Sequence, residues 1–288
     1  MKKSKLAKVL TVSLAALMVF GLASCGGGSG KVSDKDITVI SREEGSGTRD
    51  AFTELTGVLQ DDVDKTVDTA EISNSTSVVT QSVAGNDAAI GYISLGSLDD
   101  TVKAVKVDGV EATVDNIKSG DYKIQRPFNI VTKGEVKELP ADFIKFIMSK
   151  DGQKIIEDEG YISVNDNAEA YKASGFKGSI TLAGSTSVSP VMEVLADKYK
   201  ELNSGVTIEI QQTGSGAGIQ STTEGVCDIG MASRELKDEE TSQGLKSEEI
   251  ALDGIAVIVN KDNGVEDLSM DQIMKIFTGE ITNWADVK

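Results

Sequence analysis

From Ile37 onward, short β-branched runs alternate with stretches whose apolar residues recur every three or four positions. Ile37 to Ile40, Ala89 to Ile93, Phe128 to Val131, Ser179 to Leu182, Val206 to Ile210 and Ile255 to Val259 have the length and composition of strands. Between them the spacing predicts helices. Val191, Met192, Val194, Leu195 and Tyr199 share one face behind Pro190, whose fixed φ suits a first turn. Ser269 and Gln272 have the spacing of a capping box ahead of Ile273, Ile276 and Phe277. Pro140 opens a helix carrying Phe143, Phe146 and Ile147, and a second helical stretch ends at Gly160. This alternation predicts an α/β fold with mostly parallel strands, because parallel neighbours need the crossover that a helix supplies. No long-period repeat is present, which excludes a solenoid.

The first 24 residues follow a different pattern. Lys2, Lys3, Lys5 and Lys8 precede an apolar run from Val9 to Leu22 that ends in small residues, the layout of an export signal over residues 1–24. The run is too short and wrongly flanked for a stable membrane span. Leu22-Ala23-Ser24-Cys25 resembles the bacterial lipobox, which implies cleavage before Cys25 and a lipid on it. Residues 25–36, opening with Gly26-Gly27-Gly28-Ser29-Gly30, then form a flexible tether.

Charge narrows the partners. The 288 residues include 29 Lys plus Arg against 46 Asp plus Glu, a formal net charge of −17, and the leader takes four lysines with it. So acidic a surface repels nucleic acid and bare anionic lipid, leaving the lipid on Cys25 as the contact with membrane. There is no His, which weakens His-based catalysis and His-ligated zinc, and the acids show no metal-ligand spacing. With Cys25 lipidated, Cys227 lacks a disulfide partner; in the apolar stretch Val226 to Ala232 it is read as a small buried hydrophobe. The length suits one large or two medium domains.

Three stretches share one grammar of strand, Gly/Ser/Thr turn and helix start. They are Arg42-Glu43-Glu44-Gly45-Ser46-Gly47-Thr48, Gly184-Ser185-Thr186-Ser187 and Gly214-Ser215-Gly216-Ala217-Gly218. Glycines let successive backbone N–H groups face inward, hydroxyls add donors, and a helix N-terminus favours negative charge. Singly such a turn is usually a cap, and Ser75-Thr76-Ser77 is read that way. Three together, one with Arg42, point to an oxyanion. No Gly-Lys-Ser/Thr follows the glycines and no dinucleotide fingerprint is present, so an isolated phosphate-sized anion fits better than a nucleotide.

Gly184-Ser-Thr-Ser-Val-Ser-Pro190, Thr213-Gly-Ser-Gly-Ala-Gly218, Ile229-Gly-Met-Ala-Ser-Arg-Glu235, Ile276-Phe-Thr-Gly-Glu-Ile-Thr-Asn-Trp284 and Arg42-Glu-Glu-Gly-Ser-Gly-Thr48 resemble the substrate-binding lipoprotein of bacterial phosphate ABC transporters. The resemblance covers nearly everything from Ile37 to Lys288, in rearranged order: residues 37 to about 175 resemble the family's C-terminal half and 178–288 its N-terminal half. It implies a two-lobed, periplasmic-binding-protein-like (type II) α/β fold in circularly permuted order, with 94–253 as a continuous lobe and 37–93 plus 254–288 as a split one. The join runs through Ala173 to Gly178, and the new ends, near Asp36 and Lys288, fall in a surface loop.

The same resemblance implies an interlobe phosphate site of Arg42, Ser46, Gly47, Thr48, Thr186, Ser187, Ser215, Gly216, Ser233 and Arg234. Glu44 is read either as orienting Arg42 or as an exposed loop acid. Some family members carry Asp in place of Arg234, where it can accept the proton that distinguishes hydrogen phosphate from sulfate; Arg lacks that acceptor, and Arg234 is read either as a ligand or as a surface partner of Glu235 or Asp238. The function implied is a non-enzymatic receptor, lipid-anchored on the extracytoplasmic face of the cell membrane, that needs no cofactor and delivers inorganic phosphate to permease subunits. Sulfate or molybdate, or a sensor role on the same fold, are the alternatives.

Overall fold

The computed structural model describes residues 34–287; the leader, Cys25 and the tether up to residue 33 lie outside the described residues. All six expected strands form, as Thr38–Arg42, Ala89–Ser94, Gln125–Lys133, Lys177–Gly184, Gly205–Gln212 and Leu245–Asn260. The expected helices form too. Ser189–Leu202 carries Pro190 in its first turn, and Ser269 caps Met270–Phe277 with the reciprocal Gln272 contact. Glu138–Ile147 starts two residues before Pro140, which occupies a first-turn position where a missing N–H costs nothing. Lys150–Asp158 is the helix that ends near Gly160.

The main sheet has ten strands. Its order runs Gly205–Gln212, Lys177–Gly184, Ile229–Ala232, Gln125–Lys133, Leu245–Asn260, Ala89–Ser94, Thr38–Arg42, Glu71–Ser73, with Val102–Ala104 and Ile162–Ser163 pairing along Leu245–Asn260. The outer strands pair in parallel on both sides. Gln125–Lys133 and Leu245–Asn260 run antiparallel to each other and to their outer neighbours. The sheet is therefore mixed, where mostly parallel strands were expected. The antiparallel pairings belong to Gln125–Lys133 and Leu245–Asn260, the two strands that pass between the halves, and no β-branched run announces their direction.

Leu245–Asn260 belongs to both halves of the sheet. Leu245 to Gly254 pairs with Gln125–Lys133, whereas Ile255 to Asn260 pairs with Ala89–Ser94 and Val102–Ala104. Side-chain alternation then builds four cores, one on each face of each half. Ile255, Val257 and Val259 enter a core with Phe52, Tyr92, Phe277 and Trp284, while Ala256 and Ile258 enter one with Ile40, Val79 and Val83. In the other half, Phe128 and Ile130 pack with Phe143, Phe146, Leu182 and Tyr199, and Val131 and Leu245 pack with Ile219 and Ala232.

The boundary between the halves lies later than residue 93. Val105, Val107, Ile117, Tyr122 and Ile124 are buried with Phe52 and Phe277, not with Phe128 and Tyr199. The chain crosses where Gln125–Lys133 begins and crosses back at Gly254. Sequence could not show this, because residues 102–124 carry apolar side chains that would suit either core. Near residue 36 the two ends lie side by side: Ile37 N–H donates to the Thr282 carbonyl at 2.8 Å, Trp284 N–H to the Lys35 carbonyl at 3.0 Å, and Asn283 Nδ2 to Asp36 Oδ1 at 2.9 Å. Cys227 is buried and free, as its apolar surroundings suggested, and burial raises its thiol pKa. Among the described residues, no helix is long and apolar enough to cross a membrane.

Phe52 is fully buried, stacked on Tyr92 at 3.9 Å and edge-on to Phe277 at 4.7 Å. Phe52→Ala is expected to cost about 3–5 kcal/mol in urea unfolding, whereas Val226→Ala, at a residue 66% exposed, should change stability by less than about 0.5 kcal/mol. Equal losses would contradict this packing.

Candidate functional site

Four helix N-termini meet where the two halves face each other. Ser46 caps Gly47–Thr56, Ser75 caps Thr76–Gly85, Gly214 precedes Ser215–Glu224, and Gly184 to Val188 lead into Ser189–Leu202. Each leaves first-turn N–H groups without helical partners and presents the positive end of its dipole. Gly214 takes a positive φ of 88°, a conformation that glycine adopts without strain. Gly216 N–H donates across the halves to the Gly45 carbonyl at 2.9 Å.

The hydroxyls of these turns form one buried network. Thr48 and Ser187 lie 2.9 Å apart, Ser187 and Thr76 3.1 Å, and Thr76 and Thr186 3.3 Å. Ser185 Oγ donates to Ser233 Oγ at 3.0 Å, and Ser215 Oγ lies 3.3 Å from the same atom. Thr48, Ser187, Ser215 and Ser233 are each at most 1% exposed. Thr48 and Thr76 come from one half, the four serines and Thr186 from the other, so the network spans the interface.

Arg42 supplies charge to this network. It ends strand Thr38–Arg42, and its backbone N–H donates to the Tyr92 hydroxyl at 3.2 Å. Tyr92 is itself fixed by stacking on Phe52, so the core positions the arginine. Its Nη2 donates to Thr186 Oγ1 at 3.0 Å and Nη1 lies 3.5 Å from Thr76 Oγ1. Glu43 takes Nε and Nη2 on its two oxygens at 2.8 Å each, a bidentate pair that fixes the plane of the guanidinium. Glu44 is exposed, so the orienting carboxylate is Glu43.

Arg234 does not join the network. Its Nη1 and Nη2 donate to Glu240 at 2.7 and 2.8 Å, Nη1 also reaches the Glu235 carbonyl, and Nε lies 2.9 Å from Asp50 Oδ2, close enough for an ion pair without hydrogen-bond alignment. Burial alone would raise the Glu240 carboxyl pKa, but Arg234 and the Lys237 N–H hold it below its ordinary value. The guanidinium is thus committed to carboxylates on both halves. The side chain is buried, and its carboxylate partners are Glu240 and Asp50, not Glu235 and Asp238.

The structure therefore brings together Arg42, Ser46, Gly47, Thr48, Thr186, Ser187, Ser215, Gly216 and Ser233, and sets the Arg234 side chain apart. Sequence reasoning missed Thr76, Ser185 and Arg126. Ser75 is the cap it was read as, but Thr76 beside it points into the network. Ser185 belongs to a quoted turn, where the hydroxyl that turns inward depends on backbone conformation. Arg126 donates from Nη1 to Thr48 Oγ1 at 2.7 Å and the Ser233 carbonyl at 3.0 Å. It is paired with Asp253. Burial raises the Asp253 pKa and lowers that of Arg126, and the attraction between the two opposes both shifts. Among the described residues no cluster of His, Cys, Asp and Glu is arranged to hold a metal ion.

Known proteins bear on this geometry. The pattern of the PBP superfamily domain matches residues 28–151 and 169–288. Phosphate-binding protein PstS 2 of Streptococcus agalactiae serotype V is 52% identical over 294 residues, spanning 100% of this chain and 99% of that protein. The crystal structure of a phosphate ABC transporter phosphate-binding protein from Streptococcus pneumoniae TIGR4 superposes with a TM-score of 0.72 at 48% identity, covering 88% of this chain and 100% of that one. Phosphate-binding protein PstS of Bacillus subtilis aligns at 38% identity over 112 residues, only 38% of this chain and 37% of that protein.

A Cβ at Gly47 would sit 2.5 Å from Ser215 Oγ and 2.8 Å from Ser233 Oγ. Gly47→Ala is expected to keep the halves apart, giving a larger radius of gyration in small-angle scattering with an unchanged circular dichroism spectrum. A variant as compact as the parent would contradict the close approach.

Proposed function

This chain belongs to the PBP superfamily, among its PstS phosphate-binding proteins, and on that premise we propose that it captures inorganic phosphate between its two halves and hands it to the permease subunits of an ABC transporter. The observation that carries the reading is the buried Arg42 guanidinium amid hydroxyls from both halves, at four helix N-termini. Such a set is rich in donors, which suits an oxyanion with several acceptor oxygens. Arg42, Ser46, Gly47, Thr48, Thr186, Ser187, Ser215, Gly216 and Ser233 are the binding residues in this reading, with Thr76 and Ser185 added. Phosphate favours the arrangement in which both halves contribute donors, because only that arrangement completes its contacts.

The reading is capture and release without turnover. The cations nearest the hydroxyls are guanidiniums, which do not accept a proton, and Glu43 has both oxygens on Arg42. A serine nucleophile needs a base beside it. Cys25 carries the lipid that holds the protein to the extracytoplasmic face of the cell membrane; the lipobox-like Leu22 to Cys25 supports this. The permuted order is supported by two facts. The S. agalactiae relative aligns end to end while the B. subtilis one aligns over a single stretch, and residues 35–37 lie against 282–284, as a chain opened within a loop requires.

Calorimetric titration of the mature protein, stripped of bound anion, tests the reading: saturable one-to-one phosphate binding is expected, and a folded protein that ignores phosphate would sink it. Arg42→Ala is expected to weaken phosphate binding about 10- to 100-fold, since hydrogen bonds to charged groups contribute roughly 1.5–3 kcal/mol. Arg234→Ala is expected to retain phosphate binding while losing about 1–3 kcal/mol of stability, because Glu240 loses its partner. Abolished binding in that variant would return Arg234 to the site.

A further inference from the structure

Arg126 and Asp253 stand where the chain passes between the halves. They are direct cross-strand partners in Gln125–Lys133 and Leu245–Asn260, next to the point at which the long strand changes from one core to the other. The Arg126 side chain is 2% exposed and that of Asp253 1%. Nε and Nη2 of the arginine lie 3.4 and 3.2 Å from Asp253 Oδ2, and Ser94 Oγ donates to Oδ1 at 2.9 Å. The Phe128 ring centroid lies 5.2 Å from the guanidinium carbon. The remaining nitrogen, Nη1, reaches out of this clamp to Thr48 Oγ1 in one half and the Ser233 carbonyl in the other.

That contact fixes the direction of a proton. A guanidinium has only donors, so Thr48 Oγ1 must accept from it. The Thr48 hydroxyl proton, buried and in need of an acceptor, then points to Ser187 Oγ, 2.9 Å away across the halves. Ser187 passes its own proton on to Thr76 Oγ1 at 3.1 Å. Arg126 thus heads a line of hydroxyls with one polarity, each donating away from it. Because its oxygen is held as an acceptor by Arg126, Thr48 has only its proton to offer an anion, which takes the place of Ser187 Oγ as the acceptor.

We propose that Arg126, clamped by Asp253, is a positioning residue of the phosphate site, which sets Thr48 as a fixed donor toward the bound oxyanion. The proposal rests on the receptor reading above. A buried ion pair that only ties two strands together would leave the Thr48 hydroxyl without this role, and the two possibilities part in a double-mutant cycle.

Arg126→Lys keeps the charge and loses the fork, since one ammonium cannot span Thr48, Ser233 and Asp253 together. In calorimetric titrations of the mature protein with inorganic phosphate, Arg126→Lys is expected to lower affinity tenfold or more. In a Thr48→Val background the same substitution should change affinity less than twofold. Parental affinity in Arg126→Lys, or an equal fold-loss in both backgrounds, would overturn the proposal. If Arg126→Lys does not fold, Ser94→Ala removes only the hydroxyl on the far oxygen of Asp253. Its expected loss is three- to fivefold with Thr48 present and none with Thr48→Val; no loss, or the same loss in both, overturns the proposal. Failure of the unsubstituted protein to bind phosphate would remove the receptor reading and this inference with it.

Discussion

A guanidinium buried from water must place its N–H groups on acceptors, and two arginines in the middle of this molecule impose that demand on everything around them. Arg42 draws on Glu43, Thr186 and Thr76; Arg126 draws on Asp253, Thr48 and the Ser233 carbonyl. Each set of partners comes from both halves of the sheet. The halves therefore come together at charges neither could bury alone, and the small Gly, Ser and Thr residues that line the interface let four helix ends approach those charges.

Packing supplies the rigidity that makes such an arrangement specific. Arg42 is held from behind by Tyr92, which stacks on Phe52, which meets Phe277, so the position of the charge is traceable to the centre of a core. Arg126 is held by the ribbon of two antiparallel strands that passes from one core to the other. One arginine belongs to a half and the other to the connection between halves. Arg234 and Glu240, with Asp50, add an ion pair across the same interface away from the hydroxyls. Partial burial makes that pair costly to break from one side, though its net contribution over a nonpolar contact is small.

The polarity of the hydroxyl network follows from the same arginines. Hydroxyls can donate or accept, and a cluster of them alone has no preferred direction. Arginine next to Thr48 and Thr186 removes that freedom at two points, because both oxygens must accept. The protons of those two hydroxyls are left to donate, so an incoming anion that displaces their hydroxyl partners meets donors there and not lone pairs.

Sequence by itself determined the six main strands, the helices between them, the burial of Cys227 and three of the four turns at the interface, because each depends on local periodicity, glycine freedom or capping chemistry. It also carried the family, through motifs such as Arg42 to Thr48 and Gly184 to Pro190 that stay contiguous in the chain. Tertiary structure alone decided the rest. The direction of Leu245–Asn260, and the attachment of residues 102–124 to the core of Phe52, depend on strands far apart in sequence. Glu43 rather than Glu44 meets Arg42, Thr76 turns inward beside the cap Ser75, and Arg234 turns toward Glu240 and Asp50, because neighbouring side chains leave a turn in different directions that only the folded backbone fixes. Arg126, alone in a strand with no glycine or serine to mark it, became part of the site when Asp253, 127 residues away in the chain, came to lie opposite it.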